Sequence, residues 1–162
     1  MRHIINLEVE NNSGVLARIA GLFSARGFNI ESLSVANTES EEISRMTLVV
    51  RGDDQIIEQI TKQLNKLIDV IRVNDITQNY HVERELLLIK INCPPNRRSE
   101  LSQIVNIFDS KVVDIGAKSM TIEVVGSEDK VDAFVETVRN FGLKEVARTG
   151  TIAMIREANR RS

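Results

Sequence analysis

The chain has 162 residues, 42% hydrophobic and 27% charged, with 21 Lys and Arg against 23 Asp and Glu. That is the make-up of an ordinary globular protein, one domain or two small ones. Residues 1–76 carry 8 basic and 11 acidic side chains, and residues 77–162 carry 13 and 12. Neither half has the cationic excess that binding a phosphate backbone requires. With five Phe, one Tyr and no Trp, a base-stacking platform is not expected.

No apolar run approaches the ~20 residues that span a bilayer. The start of the chain has no apolar core or small-residue cleavage site, so no secretory signal is expected. The single cysteine, Cys93, excludes an internal disulfide and fits a reducing cytoplasm.

Along the chain, Ile5, Leu7 and Val9 alternate with Asn6, Glu8 and Glu10, the pattern of a half-buried strand. Val15, Leu16, Ile19, Leu22 and Phe23 share one helical face, and Gly27 supplies a left-handed stop. Strands are expected over 28–37 and 44–52, joined by a polar hairpin loop at 38–42. Ile56, Ile57, Ile60, Leu64 and Leu67 mark a second helix, with Asp53 and Asp54 at its positive end. Val70, Ile71, Val73 and Ile76 close this half as a strand.

The same order then repeats. A strand over 86–91 meets Pro94 and Pro95. A helix carries Leu101, Ile104, Val105 and Phe108, and short strands cover 112–115 and 120–124 around a turn near Gly116. Ser127 caps a helix with Glu128 and Asp129 in its first turn. Its stripe of Val131, Phe134, Val135, Val138 and Phe141 stops at Gly142. A last strand is expected over about 144–155. The reading is α+β: two ferredoxin-like βαββαβ domains, 1–77 and 84–162, with a linker at 78–83. The strands of the first half carry apolar residues in both phases, Leu33 and Val35 beside Phe28 and Ile30. A small sheet with open edges is also a template for pairing. Both features predict a dimer at least.

The turn at residues 11–16 is the main chemical feature. A strand runs into Asn11, Asn12, Ser13 and Gly14, and a helix begins with bare backbone N–H groups. The N–H groups of Gly14, Val15 and Leu16 suit a carboxylate. The amide oxygen of Asn11 or Asn12 suits an ammonium. The competing explanation is an ordinary cap by Asn12 or Ser13. Asn29 adds another amide near a sheet edge, or is simply a turn residue.

Other chemistry is sparse. Cys93 has no His near it in sequence, and His3 and His81 are isolated, so neither a catalytic thiolate nor a metal site is expected. Neither a dinucleotide-binding nor a P-loop glycine pattern is present. The acidic run at 39–42 reads as a solvated loop. Arg156, Arg160 and Arg161 read as a frayed tail.

The stretch Leu7-Glu8-Val9-Glu10-Asn11-Asn12-Ser13-Gly14-Val15-Leu16 resembles the opening of an ACT domain. With Gly27-Phe28-Asn29-Ile30-Glu31-Ser32-Leu33, Ser44-Arg45-Met46-Thr47 and His81-Val82-Glu83-Arg84-Glu85, it resembles the small regulatory subunit of acetolactate synthase. The likeness runs on to Glu145-Val146-Ala147-Arg148-Thr149-Gly150 and spans essentially the whole chain. It implies that the first domain is an ACT domain, paired side by side with a second copy as a homodimer. It implies an amino-acid effector, valine or else leucine or isoleucine, at that interface. Asn11, Gly14, Val15 and Leu16 would hold it from one protomer, and Asn29 and Ile30 from the other.

The resemblance also implies a non-catalytic chain that activates a large catalytic subunit and confers feedback inhibition. Thiamine diphosphate, Mg²⁺ and FAD would belong to that partner, with no cofactor, nucleic acid or membrane for this chain. The alternative is a free-standing amino-acid sensor that regulates another enzyme or a transcription factor.

Overall fold

The computed structural model describes residues 1–157. The elements run β1 (Arg2–Glu10), α1 (Val15–Ala25), β2 (Ile30–Asn37), β3 (Ile43–Arg51), α2 (Asp54–Leu64), β4 (Val70–Asp75) and β5 (His81–Asn92). They continue with α3 (Arg98–Ile107), β6 (Lys111–Ile115), β7 (Ser119–Gly126), α4 (Glu128–Val138), β8 (Leu143–Arg148) and β9 (Ile152–Ile155). Two compact units result. The first is Met1–Val82 together with residues 151–157, and the second is Glu83–Gly150.

Each unit is an antiparallel sheet with two helices. The strand order is β2-β3-β1-β4 in the first and β6-β7-β5-β8 in the second. Both are the βαββαβ arrangement that the apolar periodicities predict. In the first unit Ile5, Leu7, Val9, Met46, Leu48 and Val50 project from the sheet onto Val15, Ile19 and Phe23 of α1 and Ile57, Ile60 and Leu64 of α2. In the second, Leu87, Ile89 and Ile91 meet Leu101 and Val105 of α3 and Val131 and Phe134 of α4. Burying such side chains contributes about 25 cal/mol per Å² of apolar surface removed from water.

Local chemistry sets most ends. After α1, Gly27 turns left-handed at φ +70°. The N–H of Phe28 then reaches Phe23 O at 3.0 Å and that of Gly27 reaches Ser24 O at 3.0 Å, a Schellman stop. Asp53 caps α2 by accepting from the Ile56 N–H at 2.8 Å, and Ser127 caps α4 through the Lys130 N–H at 3.4 Å. Helix α2 ends at Leu64, so Leu67 packs on the core from the turn that follows.

Three expectations are corrected. The strand expected over 144–155 is two strands, β8 and β9, broken at residues 149–151. Of these β9 pairs with β5, while by its contacts it groups with the first unit. Ala153 packs against Ile4, Val49 and Ile76 on the helix-free face of the first sheet. That is why β1 is buried on both faces, Ile4 and Asn6 as well as Ile5 and Leu7, where alternation predicted one. Nor is Arg156 frayed. Its N–H donates to Tyr80 O at 2.8 Å and its guanidinium lies 5.2 Å from the Tyr80 ring centre. Arg160 and Arg161 lie outside the described residues.

Candidate functional site

At the end of β1 the backbone is held from two sides. The Glu10 N–H donates to Asp69 O in the α2–β4 turn, and the Asn11 N–H donates to Glu42 O in the β2–β3 loop, both at 2.8 Å. The Asn11 amide nitrogen donates to Glu41 O at 2.9 Å. The Asn12 amide nitrogen turns back to the Glu10 carboxylate at 3.0 Å. The acidic loop at 39–42 is therefore exposed, as expected, but its carbonyls also brace the turn.

The cap expected from Asn12 or Ser13 does not form. Gly14 occupies the cap position of α1 at φ +84°, with no side-chain hydrogen bond to the helix start and no acidic residue in the first turn. A left-handed cap is open to glycine without penalty and strained for most other residues. The Val15 N–H reaches Asn12 O at only 3.5 Å, the outer limit of a hydrogen bond. The Val15 side chain is buried in the core, so its offering to the turn is its N–H alone. Leu16 is 41% exposed beside it. Helices α2 and α4 have side-chain caps, α3 like α1 has none, and α2, α3 and α4 all carry acidic residues in the first turn, which α1 does not.

Arg18 was not singled out by its sequence position, yet it completes the electrostatics. A Cβ on Gly14 would stand 3.1 Å from its Nη1, so the guanidinium lies across the glycine. Its Nε donates to Asp69 Oδ2 at 2.8 Å, which holds it there. Its charge is paired with Asp69 through Nε and Nη2, so Nη1 is the group it turns toward the glycine. Arg18 sits one turn beyond Gly14 in sequence. Its anchor is 51 residues away, and no local signal announces it.

Asn29 and Ile30 are not beside this turn. Strand register places Ile30 opposite Val50, which faces His3, whereas Asn37 lies opposite Ser44, which faces Val9. Ile30 and the turn thus stand at opposite ends of one sheet, about 25 Å apart along the strands at ~3.3 Å per residue. Strand β2, which begins at Ile30, is an edge of the sheet.

The remaining reactive side chains have structural surroundings. His3 is buried between Asp75, 3.1 Å from Nδ1, and Asp54, 3.5 Å from Nε2. The His81 ring nitrogen Nδ1 lies 2.7 Å from Asn79 O. Cys93 is buried, and burial pushes its thiol up against the opposing pull of Arg98 and Arg97. No group of three or more His, Cys, Asp and Glu fit for a metal occurs among the described residues. No described helix is long and apolar enough to cross a membrane.

Comparison with known proteins identifies the family. A family model described as the AHAS small subunit-like ACT domain matches residues 5–72, and one described as the small subunit of acetolactate synthase matches residues 84–157. A probable acetolactate synthase small subunit of Archaeoglobus fulgidus is 55% identical over 96% of this chain and 98% of that protein. The acetolactate synthase small subunit of Bacillus subtilis is 47% identical over 96% of this chain and 91% of its own. The crystal structure of the acetolactate synthase small subunit from Thermotoga maritima matches with a TM-score of 0.89 at 38% identity, covering 98% of this chain and 99% of that one. With both halves matched in order over nearly the full length, this chain belongs to the acetolactate synthase small-subunit family.

Proposed function

We propose that this chain is the regulatory subunit of an acetolactate synthase, binding the catalytic large subunit, raising its activity and making it inhibitable by valine, or by leucine or isoleucine. The effector sits between two ACT domains. Its carboxylate lies on the N–H groups of Gly14, Val15 and Leu16, with the Asn11 amide at its head group. Asn29 of the second protomer bonds the same head group and Ile30 walls the side chain. Thiamine diphosphate, Mg²⁺ and FAD stay with the catalytic subunit, and this chain alone forms no acetolactate.

One observation carries the reading: the start of α1 has no side-chain cap, a left-handed glycine and a braced cation across it. The register supports the two-protomer part. When two β2 edges pair antiparallel, each brings its Asn29 end to the end of the sheet where the partner's turn lies. One chain by itself does not do this.

The test is calorimetric titration of valine, leucine and isoleucine into the purified chain, repeated with the large subunit while acetolactate formation is followed. Effector binding to the chain and inhibition only of the complex are expected. The large subunit then shifts effector affinity by the reciprocal coupling, typically worth ~1–3 kcal/mol. An apolar wall separates branched effectors by only about 1–3 kcal/mol, so overlapping responses are expected. Failure to pull down the large subunit, or inhibition unchanged by adding this chain, would overturn the proposal.

A further inference from the structure

The helix-free face of the first sheet is graded. Strand pairing lays out three rows across β3, β1 and β4. Val49 and Ile4 share one row, Thr47, Asn6 and Asn74 the next, and Arg45, Glu8 and Arg72 the last. Strand β9 covers the apolar row through Ala153. The Ala153 carbonyl accepts from the Asn6 amide at 3.1 Å and from Arg45 Nη2 at 3.2 Å, and Thr47 Oγ1 donates to Asn6 Oδ1 at 3.0 Å. These bonds fix the floor beside β9. Over the polar rows a cavity of about 190 Å³ remains, floored by Asn6, Glu8, Arg45, Arg72 and Asn74 and walled by Met154 and Ile155.

We infer that this cavity is a second small-molecule site, separate from the α1 turn, for a short-chain carboxylate with an apolar tail. Two guanidinium groups flank a single carboxylate, so the three side chains of this row sum to one positive charge. The Arg72–Glu8 contact is loose, at 3.8 Å. A ligand carboxylate at Arg72, on the side away from Glu8, gains the planar donor geometry that arginine offers an anion. Met154, 59% exposed, and Ile155, 41% exposed, give the tail an apolar wall. Glu8 and the Asn74 amide oxygen accept hydrogen bonds, which favours a ligand that also bears an ammonium. A cavity of that volume suits an amino acid or a 2-oxo acid of a few carbons.

The test uses the full chain carrying Gly14→Asp, which disables the α1 turn, with leucine and its 2-oxo acid as probes. Calorimetry and amide chemical shifts are the readouts. Residual binding is expected, with shifts confined to residues near 6, 8, 45, 72, 74 and 154. Adding Arg72→Ala weakens it tenfold or more, and Arg72→Lys recovers part of the loss. Arg72 is an exposed side chain, so neither change threatens the fold. Glu8→Gln weakens leucine and spares the oxo acid if the ammonium is read, and affects both alike if the carboxylate alone is held.

The absence of both heat and shifts at these residues, or binding indifferent to Arg72→Ala, would overturn the second site. Shifts that persist at residues 14–16 in the Gly14→Asp chain would instead overturn the effector site proposed above, so the two failures are distinguishable.

Discussion

The β1–α1 turn and the β5–α3 turn hold the same place in two copies of one topology, and their chemistry is opposite. The first offers Asn11, Asn12, Ser13 and Gly14, with a left-handed glycine cap and Arg18 lying across it. The second offers Cys93, Pro94 and Pro95 and runs through a short 3₁₀ turn into α3, which also has no side-chain cap. Proline has no N–H to give a ligand. There Arg97 lies 3.9 Å over the Phe141 ring and bonds Glu100, while Arg98 donates to Gly116 O at 2.7 Å. Both turns carry arginine. In one it backs an open set of amides, and in the other it seals a closed one. The fold supplies the position twice and the residues give it two different chemistries, which is why function is argued from the site and not from the fold.

The comparison breaks first at Gly14. Gly14→Asp places a carboxylate where the effector's own belongs. Two like charges a few ångströms apart at a protein surface cost ~3 kcal/mol, so calorimetry should read a loss of about 100-fold. Gly14→Asn, which tolerates left-handed backbone, should lose less. Equal affinity in the Asp variant would remove this turn from the site.

A smaller effect is expected at Asn29. Asn29→Ala removes one hydrogen bond and should weaken binding about tenfold. Mixed with Gly14→Asp chains it should restore one intact site per hybrid dimer, because each site draws on both protomers. No recovery on mixing would show that the two residues serve one chain. On the sealed side, Arg97→Ala should cost ~1 kcal/mol in denaturant unfolding, from the lost ring contact and a partly exposed ion pair. Effector affinity should not move. A change in affinity would mean that the second turn takes part in binding.

The smallest effect concerns Cys93 under the closed turn. Burial raises its thiol, so the folded state holds the proton more tightly than the unfolded chain does. That contribution is complete below the ordinary thiol range and is lost as pH rises through it. Alkylation at mildly alkaline pH should follow unfolding of the second unit. Rapid labelling of the native chain would show an open turn.

Much of this was legible in the sequence because the forces involved are local. The stripe from Val15 to Phe23, the Gly27 stop and the caps at Asp53 and Ser127 depend on residues within a few positions of one another. The exposed polar turn before α1 was visible for the same reason. The competing reading, a cap by Asn12 or Ser13, rested on the usual preference of Asn and Ser for that position; here the Asn11 and Asn12 amides are drawn to Glu41 and Glu10 and Gly14 takes it.

By itself, then, the sequence determined the helices, the strand periods and the bare start of α1, since backbone geometry and apolar spacing are read within a turn or two. Tertiary structure decided what distance along the chain hides. It set Asp69 on Arg18, split the last strand, and returned Ala153 to β1 across 147 residues to cover a face that alternation alone left open. It also placed Asn29 and the α1 turn at opposite ends of one sheet, because register is a property of paired strands and no single strand carries it.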